Sequence, residues 1–387
     1  MHRYAAPTEL VYGPGTLAKL ADETKRLGGT RVTLVSDRGL AGAGIPDRAR
    51  AVLDAAAIPV DIYLDVPTDP TFDDVDRLVA AIRAHQSDLV VCVGAGSVLA
   101  AGRSAALAAT HEGSSLALAG VEKGTRAPLP TICVPTTAGS GGEVSRQATI
   151  TDPSGHKSGV QGRTVAARLA ILDAELLQSV PRRQAVASGV DALVHSLEAY
   201  VSRRASPLTD ALALPSFEQI FRDLPRAVES PDVETLDALL LSSTMANLAC
   251  GNAGLGLVHG LNKGITYLFH TGRYQTLSYG DLHSVLLPWV WDFNVPADPA
   301  RFATLARLMG VTDEGSDEDV AMAGGRVLRD WLAALGAPRK LPWDACPPED
   351  LAIIESDVLG RQMALDNPRE STADDLRAMV LASITGW

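Results

Sequence analysis

Leu89-Val90-Val91-Cys92-Val93-Gly94-Ala95-Gly96-Ser97 is the stretch that decides the fold. Apolar, β-favouring residues run directly into a glycine turn, and the turn opens a helix-compatible segment. A short apolar run bounded in this way reads as a strand buried on both faces, followed by a tight corner into a helix. Backbone N–H groups at such a helix start, with no bulky side chain in the way, suit the oxygens of a diphosphate. Taken alone, the turn serves equally well as a structural corner.

A second unit of the same kind lies downstream. Thr131-Ile132-Cys133-Val134 precedes Pro135-Thr136-Thr137-Ala138-Gly139-Ser140-Gly141-Gly142-Glu143. Its glycines permit close backbone approach to a ligand, and its Thr and Ser hydroxyls can bond phosphate or ribose oxygens. Further strand-like runs occupy 31–36, 59–66, 130–134 and 169–172, with a helical period over 72–86 carried by Val75, Leu78, Val79 and Ile82. Strand–helix alternation implies a mostly parallel sheet with its ligand crevice beyond the carboxyl ends of the strands. From about 183 onward the strand pattern stops. Ala- and Leu-rich segments at 184–203, 208–225, 233–250, 282–292, 318–335 and 372–384 read as helices. The expected organisation is an α/β dinucleotide-binding domain over 1–180 and an all-helical domain over 181–387. The turn Ser179-Val180-Pro181 joins them, and the two are expected to share a cleft.

Composition narrows the class. The chain has 387 residues, 46% of them hydrophobic and 21% charged, with a net charge of −12. Phosphate backbones and anionic membranes demand clustered Lys and Arg, so neither nucleic acid nor a membrane is the expected partner. The uncharged stretch 238–258 is broken by Gly and Asn and reads as buried helix, too interrupted for a membrane span. Cys92, Cys133, Cys250 and Cys346 are scattered without a CxxC pair, and no apolar signal segment follows Met1. The expected compartment is the reducing cytoplasm.

Four acidic and imidazole side chains stand out. Asp37 follows the strand-like run Arg31–Ser36 and can accept bonds from both hydroxyls of an adenosine ribose, favouring NAD over NADP. A helix cap is the plainer reading, and adjacent Arg38 weakens the discrimination. Asp191 and His195 lie four apart in a helical segment and so share a face, a spacing that suits two ligands of one divalent metal. His259, in Gly254-Leu255-Gly256-Leu257-Val258-His259-Gly260, is a third candidate.

With these motifs in hand, the chain resembles the iron-containing (group III) alcohol dehydrogenases and their maleylacetate reductase relatives. The resemblance runs from Tyr12-Gly13-Pro14-Gly15 to about Asn294. It includes Pro67-Thr68-Asp69-Pro70-Thr71, the Gly94–Ser97 turn, PTTAGSGGE, GVDALVHSLEAY (189–200), NAGLGLVHG (252–260) and LLPWVWDFN (286–294). It implies NAD(P) bound by the N-terminal domain and Fe2+ or Zn2+ held by the helical one. Asp191, His195 and His259 match metal ligands. Asp37 matches the NAD-selecting position, and Gly94, Ala95, Gly96 and Ser97 the diphosphate loop. Thr136, Thr137 and Ser140 match hydroxyls lining the cofactor, and Lys157 a basic residue beside it. A small alcohol, aldehyde or ketone is the implied substrate, and a homodimer the implied assembly, with the strand near Leu10-Val11-Tyr12 free to pair between copies.

The chain departs from the pattern in two places. The family's fourth ligand is a histidine in a Pro-His-Gly turn, about fourteen residues beyond the third. Here the connection is longer, and Leu277-Ser278-Tyr279-Gly280-Asp281-Leu282-His283 puts Tyr279 at that position, with His283 one helical turn further and His270 in the added segment. Each of these, or none, completes the set; three protein ligands already suffice for a catalytic site. Lys263 stands four residues after His259, where relatives carry a proton-relaying histidine. An ammonium about 5 Å from a 2+ ion, at an effective dielectric near 20, is repelled by about 6–7 kcal/mol. Either Lys263 turns to solvent, or it is neutral, or the metal is weak or missing. After the glycine turn, Ala100 and Arg103 replace the usual Asp and Lys.

The leading expectation is therefore an NAD(H)-dependent alcohol dehydrogenase or carbonyl reductase, with Lys263 or Tyr279 delivering the proton. The competing expectations are a metal-free reductase using Lys263 and Tyr279, a non-redox lyase or cyclase resembling dehydroquinate synthase, and a non-catalytic binding subunit. Arg273 could face an acidic substrate or sit as a surface charge.

Overall fold

The computed structural model describes residues 3–387. In order, the N-terminal part contains β1 (Glu9–Tyr12), α1 (Leu20–Arg26), β2 (Val32–Val35), α2 (Arg38–Gly42), α3 (Ile45–Ala55), β3 (Val60–Tyr63), α4 (Phe72–His85), β4 (Leu89–Gly94) and α5 (Gly96–Ala108). Then come β5 (Gly120–Val121), β6 (Thr131–Pro135), β7 (Gln147–Ala148), β8 (Val160–Gln161) and β9 (Leu169–Leu172). Six strands pair in the order β1-β9-β6-β4-β2-β3, every pair parallel. Strands β2, β4, β6 and β9 are buried throughout, as parallel strands covered on both faces must be. That is why their sequences are nearly continuous apolar runs, interrupted only by the buried Thr33 and Thr131. A small second sheet, β5-β8-β7, sits apart from it.

The strand order carries a functional consequence. After β2 the chain places β3 on one side and β4 on the other, so the winding reverses between β2 and β4. Ligands of open α/β sheets sit at such a switch point, beyond the strand carboxyl ends. Those two ends are Ser36-Asp37 and Gly94-Ala95-Gly96, and Ser36 Oγ donates to Val93 O at 2.8 Å across them.

The second part is helical: α6 (Arg182–Val201), α7 (Pro207–Glu229), α8 (Val233–Ala253), α9 (Leu257–Phe269), α10 (Tyr279–Asn294), α11 (Pro299–Leu308), α12 (Asp317–Leu335), α13 (Pro348–Leu359), α14 (Gln362–Asp366) and α15 (Ala373–Thr385). Six of the helices match the segments read from the sequence, whereas α9, α11, α13 and α14 fall outside them. The chain divides into two compact units, Ala5–Val180 with Asp232–Thr244, and Pro181–Pro231 with Met245–Trp387. The first half of α8 thus belongs to the sheet-containing unit, where Thr244 Oγ1 donates to the buried Glu143 at 2.7 Å. No described helix is long and apolar enough to cross a membrane.

Candidate functional site

The sheet-containing unit gathers the nucleotide candidates around three strand ends. Helix α5 begins at Gly96 with Ala95 as its N-cap, a residue whose side chain makes no capping bond. Backbone N–H groups and the dipole at such a helix start are what an anion site requires. Space is tight there: a Cβ on Gly94 would stand 2.5 Å from Val98 Cβ, which excludes it, and one on Gly96 would stand 3.0 Å from Ser140 Oγ. The second contact places the Gly94–Ser97 turn directly against the Pro135–Glu143 run. Ser97 Oγ donates to Thr68 O at 2.6 Å, which ties in the Pro67–Thr71 loop. Lys157 is buried and its ammonium pairs with Asp69 of the same loop. Thr136 and Thr137 are buried at the end of β6.

Asp37 takes both of its expected roles' positions at once. It lies at the carboxyl end of β2, and its Oδ1 caps α2 by accepting from Leu40 N at 2.9 Å. Arg38 turns away to Asp65, at 2.5 Å. Arg103 is not a cofactor-side cation: it is 2% exposed and donates to the carbonyls of Leu99, Ser145, Val165 and Gln147, a bolt through the interior.

The helical unit brings four candidate metal donors together. Asp191 and His195 lie on α6, His259 on α9 and His283 on α10. Asp191 Oδ1 is 3.1 Å from His283 Nδ1, 3.6 Å from His259 Nε2 and 3.8 Å from His195 Nε2. The Nε2 atoms of His195 and His259 are 3.1 Å apart. Asp191, His259 and His283 form the tightest group, with all three donors mutually within 4.8 Å. Of the residues the sequence left open for a fourth position, His283 is the one that stands beside Asp191 and His259. His270 is exposed at the end of α9, and Tyr279 is half-buried with its ring edge-on to His283 at 4.9 Å.

Three contacts set α10 in this register. Gly280 packs so closely on α6 that a Cβ would stand 2.1 Å from Ala187 O. Arg183 on α6 pairs with the buried Asp281 at 2.8 Å, and Asn262 on α9 donates to Tyr279 O at 2.7 Å. Together they carry His283, on the second turn of α10, to Asp191.

A carboxylate that the sequence reading passed over orients His259. Glu198 on α6 is buried; its Oε2 is 2.7 Å from His259 Nδ1 and accepts from Gly256 N at 2.8 Å, and its Oε1 accepts from Val258 N at 2.7 Å. One side chain therefore caps α9 and fixes the imidazole so that Nε2 faces Asp191. Its signal was an acidic residue in an otherwise apolar stretch, Leu197–Val201. Asn367 helps from the C-terminal region, accepting from Leu257 N at 3.2 Å and exchanging bonds with Asn294.

The electrostatics fit a cation site. Burial disfavours the charge of Asp191, yet His195, His259 and His283 hold its carboxyl well below the usual range. Burial brings His195 down to about 4 and also lowers His283. Burial opposes protonation of His259 too, but Glu198 and Asp191 outweigh it and lift it to about 9. His195 Nδ1 and His283 Nε2 are buried without a hydrogen-bond partner, and Asp191 Oδ1 and His283 Nδ1, though 3.1 Å apart, lack hydrogen-bond geometry and have no other partner. Orphaned polar atoms cost about 1–3 kcal/mol each. Metal–ligand bonds of about 2.0–2.2 Å place tetrahedral donors about 3.3–3.6 Å apart, close to the separations here. The residues present fit a divalent metal. Lys263 is buried one turn beyond His259 and does not reach solvent.

A parallel dinucleotide-type sheet followed by a helical unit with an Asp/His cluster is the arrangement expected of a dehydrogenase that uses a metal. Family profiles agree: one described as iron-containing alcohol dehydrogenase matches residues 7–174, and one for the C-terminal part of the Fe-containing alcohol dehydrogenase family matches 185–384. The chain belongs to the iron-containing alcohol dehydrogenase family and is an oxidoreductase acting between alcohols and carbonyls. It is 31% identical to the 1,3-propanediol dehydrogenase of Citrobacter freundii over 97% of each chain. It is 29% identical to the NAD-dependent methanol dehydrogenase of Bacillus methanolicus, over 98% of this chain and 99% of that one. The crystal structure of a 1,3-propanediol oxidoreductase superposes with a TM-score of 0.93 at 31% identity, covering 98% of this chain and 99% of the other.

Proposed function

We propose that this chain reduces a small aldehyde or ketone with NADH, and runs the reverse oxidation of the alcohol, using a divalent metal held by Asp191, His195, His259 and His283. The observation that carries this reading is the meeting of those four donors, with Glu198 behind His259 and orphaned atoms facing inward.

The metal, Fe2+ or Zn2+, supplies Lewis acidity at the substrate oxygen. NAD(H) supplies the hydride. The protein's own work is positional. Helix α5 offers uncapped N–H groups to the diphosphate, Ser97, Thr136, Thr137 and Ser140 line the neighbouring loops, and Lys157 adds a positive charge moderated by Asp69. Asp37, free at one carboxylate oxygen, receives the ribose hydroxyls and disfavours a 2′-phosphate. Glu198 holds the Nδ1 proton of His259, and Lys263 and Tyr279 are the groups assigned to proton delivery. The four free, buried thiols suit a reducing compartment, and the edge strand β1, with Tyr12 exposed, is the surface assigned to a second copy.

The test is turnover by anaerobically metal-loaded protein, followed by NADH absorbance with a series of short aldehydes. NADH is expected to disappear stoichiometrically with aldehyde, and His259→Ala is expected to stop turnover while NADH still binds. Undiminished turnover in His259→Ala, or product without net NADH consumption, contradicts the proposal.

A further inference from the structure

The segment between α9 and α10, residues 270–278, contains no regular structure and is largely exposed. Its middle is nevertheless fixed to the start of α13. Asp350 is fully buried, and its two oxygens are taken by the Arg273 guanidinium, at 2.6 Å, and the Tyr274 hydroxyl. The Tyr274 ring lies 4.3 Å from the Trp343 ring, and Trp343 Nε1 donates to Gln275 O at 3.1 Å. Three consecutive residues are thus held a few positions before Ser278, whose Oγ caps α10 by accepting from Asp281 N at 3.2 Å.

Helix α13 is itself packed tightly on α9. A Cβ on Gly264 would stand 3.1 Å from both Ile354 Cγ2 and Val358 Cγ2, and one on Gly260 would stand 3.4 Å from Val358 Cγ1. The links close a ring: α9 carries His259, α13 rests on α9, Asp350 of α13 grips residues 273–274, and those residues lead into the helix carrying His283. A site built on two elements keeps its geometry only when supporting contacts hold those elements to within about 0.5 Å.

We infer that Asp350 is a positioning residue for the metal site, acting through Arg273 and Tyr274 to set the start of α10 and so the reach of His283 toward Asp191. This inference rests on the reading of His283 as a ligand. A buried carboxylate is stable here only while the guanidinium and phenol satisfy it, so removing one partner loosens the strap without touching any metal donor.

The experiment measures Zn2+ affinity by competition with a chromophoric chelator, and the visible absorption of the Co2+-substituted protein, in Asp350→Asn, Tyr274→Phe and His283→Ala. If the strap sets His283, Asp350→Asn weakens metal binding about tenfold, the lower end of what groups bonded directly to metal ligands supply, and Tyr274→Phe does so by a smaller factor. Both also shift the Co2+ spectrum, while NADH binding stays within about twofold of the parent, the tolerance appropriate to a distant independent site. Tyr274→Phe keeps the ring on Trp343 and decides the matter should Asp350→Asn not fold. If both variants lower thermal stability yet leave Zn2+ affinity and the Co2+ spectrum unchanged, Asp350 is merely structural and the inference is overturned. If His283→Ala itself leaves metal binding unchanged, the four-donor reading fails, and the inference fails with it.

Discussion

Glu198 Oε2 lies 2.7 Å from His259 Nδ1, and the same carboxylate closes the N-terminus of the helix on which His259 stands. Fold and site are coupled through one side chain. Glu198→Gln keeps an acceptor but loses the charge, so it should weaken metal binding about 10–100-fold with a small loss of stability. Glu198→Ala also strands buried N–H groups of Gly256 and Val258, and should cost about 1–3 kcal/mol per group left unpaired. Metal titration and denaturant unfolding of the two variants separate the effects.

Gly280 is the contact that lets α10 approach α6. Gly280→Ala places a methyl group 2.1 Å from Ala187 O, a backbone atom that cannot rotate away. The helices must part. The expected result is destabilisation of about 1–3 kcal/mol together with loss of bound metal, because His283 withdraws from Asp191. Metal content measured beside the unfolding midpoint checks both halves.

Much of this architecture is legible in the sequence, and the reasons differ by element. Strands β2, β4, β6 and β9 announce themselves because burial on both faces leaves mostly apolar residues, and Gly94 marks the end of β4 because Val98 leaves no room for a Cβ. Asp191 and His195 are readable as a pair because helical spacing is local. His283 is not, since its reach depends on Gly280, Asn262 and Arg183 meeting residues remote in the chain. Glu198 is hidden for a similar reason: its partners lie about sixty residues away. Arg103 is unreadable for the same reason: it stands where relatives carry a lysine, but packing gives its guanidinium to four backbone carbonyls.

The uncapped start of α5 offers a test of the diphosphate site. Ala95→Asp supplies a good N-cap, worth about 1 kcal/mol to the helix. It also puts a negative charge where the diphosphate is proposed to lie. The protein should become no less stable while its dissociation constant for NADH rises at least about tenfold, the equivalent of 1.4 kcal/mol. Fluorescence titration with NADH reads the second effect; unchanged affinity would move the cofactor elsewhere.

Glu143 should make stability depend on pH. Burial raises its carboxyl above the ordinary range, against the opposing influence of Thr244 and Arg103. A carboxyl raised in the folded state contributes most while both states are protonated, and the contribution is lost as pH climbs through the raised value. Glu143→Gln removes that loss. The variant should therefore melt higher than the parent at pH 8 and show less or no advantage at pH 4, as thermal unfolding across that interval would reveal.

The central claim is that Asp191, His195, His259 and His283 hold one catalytic divalent cation. Anomalous diffraction from crystals of the metal-loaded protein, collected on either side of the iron or zinc absorption edge, tests it most directly. The account predicts a single strong peak bonded to Asp191 and to all three imidazoles, His283 among them. A peak lacking His283, or no peak within reach of Asp191, would contradict it.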